Sequence, residues 1–516
     1  MALQVAWLAP PAWRNRPSRI TATGMVQKRV RSFGWRPRLG RLVRSHGILL
    51  GLLVVGLLLR AGVALAYRPA LMLYGDSYDY LRRAYSLHPG PFHPLGYSVF
   101  LRLLVWTDDL RSVVVVQHLL GVALGVGTYL LLLRLGVRRW LAALAAAPVL
   151  LDAYQAGVEQ FVLAETLFEV LLLGGLALLF GRRLSPGRAA ASGVLLAAAT
   201  LTRSVAGAVV AMVVVLVVIR RVGWRPTLAL TAGALLPLLA YAAWFDSITH
   251  SFRLTAYDGR FLYGKVAPIA RCDQVELPAA LRGLCPAEDI GARRTSGYYI
   301  WNGTSPFYSF RPRAGQGRDE AAQEWALRVI AAEPADYAGR VGSDLVRYFS
   351  PTRSTRPGDW HVQSWEFVSE VRPARWHTVF APVQPRAGAR YPDILRIAPR
   401  PAHPPASVLH AYQRVGYFPG PAVGLCVVLA LAGAALGRRS AGAPRRWACV
   451  VLASSGILLI AGSAATVPLD YRYLLPAVVL LAPAGVLGTE LLLTRWLPGG
   501  RGAGPGSTAL LRRPAR

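Results

Sequence analysis

Two carboxylates beside a long apolar run are the first residues in this chain whose type and spacing could do chemistry. They are Asp76 and Asp79, in the segment Tyr74-Gly75-Asp76-Ser77-Tyr78-Asp79-Tyr80. Asp76, Asp79, Tyr80 and Arg83 stand at i, i+3, i+4 and i+7, so on a helix all four share one face. Acids are costly at a membrane edge, and an acidic, aromatic face there reads as the rim of a site where a carboxylate takes a proton from a hydroxyl. Structural accounts are open for both. Asp76 could be the N-cap of the helix, and Asp79 has Arg83 four residues on for a helix-surface ion pair. His93, in His93-Pro94-Leu95-Gly96-Tyr97, extends the rim. His88 and His93 flank the acidic loop, and one of them could join a divalent-metal site with Asp76.

Further polar residues fall where apolar ones are expected. Glu165 opens an apolar run in Leu163-Ala164-Glu165-Thr166-Leu167-Phe168-Glu169, with Glu169 one turn deeper on the same face. Arg203 lies in Leu201-Thr202-Arg203-Ser204, and Arg472 in Asp470-Tyr471-Arg472-Tyr473-Leu474-Leu475-Pro476. Glu165 could be a plain interfacial acid, and both arginines could snorkel to headgroups. Taken together, two arginines near carboxylates suit a substrate with an anionic phosphate and a hydroxyl to be deprotonated.

The elements that must position these residues are membrane spans. The chain has 516 residues, 54% of them hydrophobic and only 16% charged, against about 25% charged in soluble domains. Ten spans are expected near 47–67, 113–133, 138–152, 162–180, 188–202, 204–220, 226–244, 417–437, 447–466 and 472–493. The net charge of +32 does not indicate nucleic acid, because the arginines gather in short segments between apolar runs rather than on one folded face. Residues 1–45 and the tail after Thr494 carry arginine and no acid. With ten spans, every arginine-rich loop lies on the same side as both termini, which the positive-inside rule makes cytoplasmic. The first apolar run is too long for a signal-peptide core and should stay as a span.

This arrangement divides the chain into a basic cytoplasmic segment 1–45, a transmembrane core 46–244 with a first outer loop 68–112, an extracytoplasmic segment 245–416, C-terminal spans 417–493 and a basic cytoplasmic tail 494–516. Residues 245–416 are long enough for one small domain. Helical periodicity covers Asp319 to Ala332 and Asp336 to Phe349, with Glu333-Pro334 between them, and short strands are expected in the Pro- and Arg-rich remainder. The expected fold is therefore an all-α polytopic membrane bundle carrying a small mixed α/β extracytoplasmic domain. Cys272 and Cys285 lie in that domain and would form a disulfide in an oxidising compartment, whereas Cys426 and Cys449 sit inside spans as apolar residues. No Walker A lysine motif, Rossmann glycine fingerprint or internal repeat is present.

At Gly75-Asp76-Ser77-Tyr78-Asp79-Tyr80, His93-Pro94-Leu95-Gly96-Tyr97, Leu163-Ala164-Glu165-Thr166, Leu201-Thr202-Arg203-Ser204 and Asp470-Tyr471-Arg472-Tyr473, in that order, the chain resembles the polyprenyl-phosphate-dependent membrane glycosyltransferases of the C-type fold. Relatives include protein O-mannosyltransferases and the aminoarabinose transferases of lipid A. The resemblance spans most of residues 46–493. It implies juxtamembrane helices above the bundle, a monosaccharide donor carried on a polyprenyl phosphate, an inverting transfer at the outer face, and a glycan, lipid or protein acceptor of the cell envelope. It puts the family's first-loop acid on Asp76, the fourth-span acid on Glu165, and the late Arg-Tyr pair on Arg472 and Tyr473. Many relatives have adjacent acids in the first loop, whereas Ser77 follows Asp76 here, so Asp79 and Glu165 are both candidates to partner Asp76. The expected substrate-binding set is Tyr80, His93, Arg203, Arg472 and Tyr473. The segment 245–416 is similar only to that of comparable actinobacterial chains, which leaves sugar and acceptor open. Two other functions fit the same residues: a transporter or flippase of a lipid-linked sugar, and a polymerase or ligase of surface glycans.

Overall fold

The computed structural model describes residues 35–73, 75–181, 183–356, 358–369, 401–437 and 443–496. The basic ends 1–34 and 497–516, and residues 370–400 of the segment read as an outer domain, lie outside the described residues. The chain divides into two units, Met1–Ser45 and His46–Arg516. In the first, only the start of one helix is described; the second carries every core and every candidate site residue.

Among the described residues there are nineteen α-helices. The first part of the chain holds α1 (Trp35–Ala66), α2 (Asp76–Ser86), α3 (Gly96–Arg102), α4 (Leu110–Arg134), α5 (Arg139–Leu151), α6 (Ala153–Gln160) and α7 (Glu165–Leu178). Next come α8 (Pro186–Thr202), α9 (Ala206–Ile219) and α10 (Trp224–Thr249). A run of shorter helices succeeds them: α11 (Asp258–Val266), α12 (Ser296–Trp301), α13 (Pro306–Ser309), α14 (Arg318–Ala332), α15 (Pro334–Tyr348) and α16 (Pro405–Gln413). The chain returns to apolar helices in α17 (Gly420–Leu436), α18 (Ala443–Thr466) and α19 (Leu474–Trp496).

Each of the ten apolar runs is helical, and the chain is a multi-pass membrane protein. The expected count of ten full spans is not confirmed. Among the described residues, five helices are long and apolar enough to cross a membrane, or six if the bent pair α5–α6 is one span. Two of the shorter ones end at polar breaks. Asp152 ends α5 and caps α6, accepting from the Tyr154 N–H at 2.8 Å and the Gln155 N–H at 3.2 Å, and the pair is bent by 47° there. Arg203 caps α8 in an extended conformation, three residues before α9 begins.

The mixed α/β composition expected of 245–416 is not confirmed either. Its described residues form helices, 3-10 turns and irregular chain, with no strand. Pro268, Pro278, Pro286, Pro306 and Pro312 recur through the stretch that was to supply strands, and each removes a donor a ladder would need. Its helices form where periodicity placed them: α14 and α15 meet at Glu333-Pro334, with proline at a first-turn position where its missing N–H costs nothing.

Three large apolar cores hold the unit together. The largest fills the bundle between α4, α5, α7, α8, α9, α18 and α19. A second underlies the first loop, with Tyr80, Tyr97, Phe161, Trp365 and Leu475 among its members. A third belongs to a helical cap formed by α11 to α15, around Tyr263, Tyr299, Phe307 and Trp325. Trp325 is fully buried, and truncating it to alanine would cost about 3–5 kcal/mol. Cys272 and Cys285 border this core, joined by a disulfide with Cα atoms 6.2 Å apart.

Two connections bring the chemistry-bearing residues together. The chain before α2 pairs with the turn before α7: Leu71 N–H donates to the Gln160 carbonyl at 2.9 Å and Val162 N–H to the Leu71 carbonyl at 3.0 Å. That draws Asp76 towards Glu165. The cap docks on the turn between α18 and α19. Lys265 of α11 is fully buried against Asp344 of α15 and donates to the Val467 carbonyl at 3.2 Å. Tyr337 donates to the Ala465 carbonyl at 2.9 Å, and Trp360 N–H to the Leu469 carbonyl at 2.9 Å. Arg472 leaves that same turn.

Candidate active site

Asp76 lies in the first turn of α2 but does not cap it. Gly75 is the N-cap, at φ 90°, a left-handed value that suits glycine. The Asp76 side chain is instead free to meet Arg472, 396 residues away in sequence, whose Nη1 donates to Oδ2 at 2.8 Å. Asp76 is 7% exposed and Arg472 9%. The same Nη1 stands 3.6 Å from Glu165, the first residue of α7. Glu165 also accepts from Arg203, at the end of α8. Asp470 completes the ring: its Oδ2 is 3.0 Å from Arg472 Nε, and its Oδ1 accepts the Arg472 N–H at 2.9 Å. Three carboxylates and two guanidiniums thus share one buried cluster.

Aromatic rings wall it. The Arg472 guanidinium lies 5.3 Å over Trp365 and donates to the Tyr473 hydroxyl at 3.3 Å, while Arg203 lies 5.2 Å over the Tyr473 ring. His93 Nε2 is 3.6 Å from Asp76 Oδ1, buried and without a hydrogen-bond partner. Its ring stacks on Tyr80 with centroids 4.5 Å apart, and Tyr80 meets Tyr97 edge-on at 4.8 Å. From His93 the aromatic surface continues through Phe92 to Phe261 and Trp301 of the cap. Gly96 lets α3 approach the end of α8, where a Cβ would come 2.5 Å from the Leu201 carbonyl oxygen. That contact sets the His93 loop beside Arg203.

Burial pushes the Asp76 carboxyl up, yet the Arg472 guanidinium and His93 outweigh it and hold the group well below the usual carboxylate range. Asp470 goes the other way. Burial dominates there, against the opposing pull of Arg472, and pushes it up to about 6.

The structure therefore gathers Asp76, Glu165, His93, Tyr80, Arg203, Arg472 and Tyr473 at one place. Asp79 stands apart. Its carboxylate is held by Arg83 Nε at 2.9 Å and by Arg82 at 3.0 Å. Arg83 in turn donates to the His88 carbonyl at 3.0 Å, so Asp79 fastens the loop after α2. Asp76 and His93 supply two donors for a cation, but among the described residues no group of three or more His, Cys, Asp or Glu side chains could hold a metal ion.

Sequence reasoning missed a second buried polar network. Arg60 of α1 donates through Nε and Nη2 to Glu159 at 2.7 Å each, and to the carbonyls of Gly56, Leu150 and Val149. His118 joins Glu159 at 2.9 Å and Gln160 at 3.0 Å, and Gln155 reaches Glu169 at 2.8 Å. The signal was available: Arg60 is a lone charge inside the first apolar run, and such residues face the bundle interior and a partner. Val149 and Leu150 are last-turn residues of α5, whose carbonyls lose helical partners at the Asp152 break. The network satisfies that break.

No protein-family model matches the chain, and no curated protein matches it. Among solved structures, the chain is similar to ArnT from Cupriavidus metallidurans, in its crystal structure bound to undecaprenyl phosphate. The two are 14% identical over 87% of this chain and 78% of that one, with a TM-score of 0.28. A likeness at that level leaves the reading to the residues themselves.

Proposed function

We propose that this chain is an integral-membrane glycosyltransferase that moves a sugar from a polyprenyl-phosphate-linked donor to a hydroxyl of a cell-envelope acceptor at the outer face. The observation that carries the reading is the buried cluster in which Asp76, Glu165 and Asp470 crowd Arg472 while Arg203 holds Glu165. It combines a carboxylate able to take a proton with two guanidiniums suited to a phosphate.

Asp76 takes the acceptor's hydroxyl proton as that oxygen attacks the anomeric carbon. The bond from that carbon to the phosphate oxygen breaks, and the lipid phosphate leaves with one more negative charge, stabilised by Arg472 and Arg203. A carboxylate clamped by arginine is a weak base, so the resting ion pair must open first. An arriving phosphodiester competes for Arg472. Once released, Asp76 is a buried carboxylate facing His93, its proton affinity raised by desolvation. Donor binding would in this way prime the base.

A transporter of the same lipid-linked sugar needs polar groups deep in the bundle. The Arg60–Glu159 network is such a set, but its donors are already spent on Glu159 and on the carbonyls at the α5 break, which gives that reading less support.

Purified protein in lipid nanodiscs, given radiolabelled polyprenyl-phosphate sugars and envelope acceptors, should pass label to acceptor with no nucleotide sugar present. In sealed vesicles, label that crosses the bilayer still attached to its lipid, with no transfer, would favour the transporter.

A further inference from the structure

Away from the Asp76 cluster, α4 and α7 part along their C-terminal halves and leave a groove of about 850 Å³. Its walls are apolar and include Gly127, Leu130, Val170 and Gly174. The space is open rather than packed: a Cβ on Gly127 would meet nothing within 4 Å, and Leu130 is 46% exposed. One end is closed by Arg134, the last residue of α4, Arg188 near the start of α8, and Arg445 near the start of α18.

None of these three arginines pairs with a carboxylate among the described residues. Arg188 donates to the carbonyls of Arg183, Leu178 and Phe180, and Arg445 to those of Leu135 and Gly136. These bonds cap the ends of α7 and α4 but do not neutralise the charges, and each guanidinium keeps donors to spare from its five. Glu490, a carboxylate at this end of α19, is taken by Arg138. An apolar channel with three uncompensated cations at its mouth matches a molecule with a hydrocarbon chain and an anionic head. We infer that the groove binds an anionic phospholipid of the membrane, an acyl chain lying between α4 and α7 and the phosphate held by Arg134, Arg188 and Arg445.

Other occupants fit less well. Residues 1–45 and the tail after Thr494 carry arginine and no acid, so the chain's own ends would be repelled. The glycosyl donor proposed above needs its phosphate at Arg472, beside Glu165 at the opposite end of α7. Fourteen residues of helix separate the two ends, about 20 Å at 1.5 Å per residue. The arginine end is also the one that the charge pattern assigns to the cytoplasm, where anionic lipids and basic pockets between helices meet.

Native mass spectrometry of the purified full chain, exposed to equal amounts of phosphatidylglycerol and phosphatidylcholine with identical acyl chains, tests the inference. Wild type should retain phosphatidylglycerol with at least a tenfold preference. Arg134→Gln alters an exposed arginine with no intramolecular ion pair and should erase most of that preference. Gly127→Leu puts a side chain into the open groove, where its Cβ meets nothing within 4 Å, and should lower retention of both lipids, with an unchanged melting temperature in lipid-free detergent. Equal retention of the two lipids by wild type would overturn the proposal, as would undiminished phosphatidylglycerol retention in either variant.

Discussion

Arg472 answers to three carboxylates at once, and that crowding has consequences a substrate must meet. Asp470 is the partner whose charge is easiest to remove, since burial raises it to about 6 despite Arg472. Its folded value lies above its ordinary one, so it gains its proton as pH falls through about 6 and then ceases to compete for Arg472. A phosphodiester keeps its single charge over this range. Donor affinity should therefore strengthen as pH falls through that value. Asp470→Asn should flatten the step, because asparagine can still cap the Arg472 N–H but does not titrate. Binding of a polyprenyl-phosphate sugar measured from pH 5 to 8 checks this. An unchanged step in Asp470→Asn would contradict this assignment. At this scale the sequence was informative about residue types and silent about partners. Helix-face spacing showed that Asp79 and Arg83 could pair, and they do. Nothing local could show that Gly75 caps α2 while Asp76 turns to a residue 396 positions away.

Among the elements, the break between α5 and α6 is the most exposed to a single substitution. Arg60→Met would leave Glu159 charged, fully buried and held only by His118 and Gln155, with the α5 carbonyls unpaired. Removing one partner of a buried ion pair costs about 3–5 kcal/mol. Thermal unfolding in detergent should show a large loss for Arg60→Met, partly recovered in Arg60→Met/Glu159→Gln, where no charge is left behind. A melting temperature like that of wild type in the single variant would mean the network is not what holds the bend. Hydropathy located all ten apolar helices because an apolar run of this length has few alternatives to a helix. It did not show that Asp152 and Arg203 interrupt helices, because the surrounding composition barely changes there. In the cap, periodicity found α14 and α15, whereas the described residues hold none of the strands expected among the prolines.

For the whole molecule, the cap is inserted between α10 and α17 and settles on the turn that carries Arg472. Its anchor is one of only two lysines in the chain, Lys265. This arrangement places the site at the end of the bundle away from the arginine-rich loops; the orientation we propose, from the positive-inside rule, has that end outside. In a background lacking Cys426 and Cys449, Arg318→Cys in the cap should react with an impermeant thiol reagent in whole cells. Gly187→Cys, exposed in the first turn of α8 beside the arginine-rich loop, should react only after the cells are opened. The reverse pattern would put the site on the cytoplasmic face and contradict transfer at the outer face.

The most direct measurement compares sugar transfer by wild type and Asp76→Asn at matched membrane levels. Asparagine keeps the shape of the side chain and an oxygen for Arg472 but cannot accept the proton. Transfer should fall by roughly 10²–10⁴, the usual range for a general base, while donor binding holds or tightens because Arg472 has lost a competitor. Asp79→Asn should change transfer far less, since its pairing with Arg83 fastens a loop. Wild-type transfer by Asp76→Asn would contradict the account and take that carboxylate out of the mechanism.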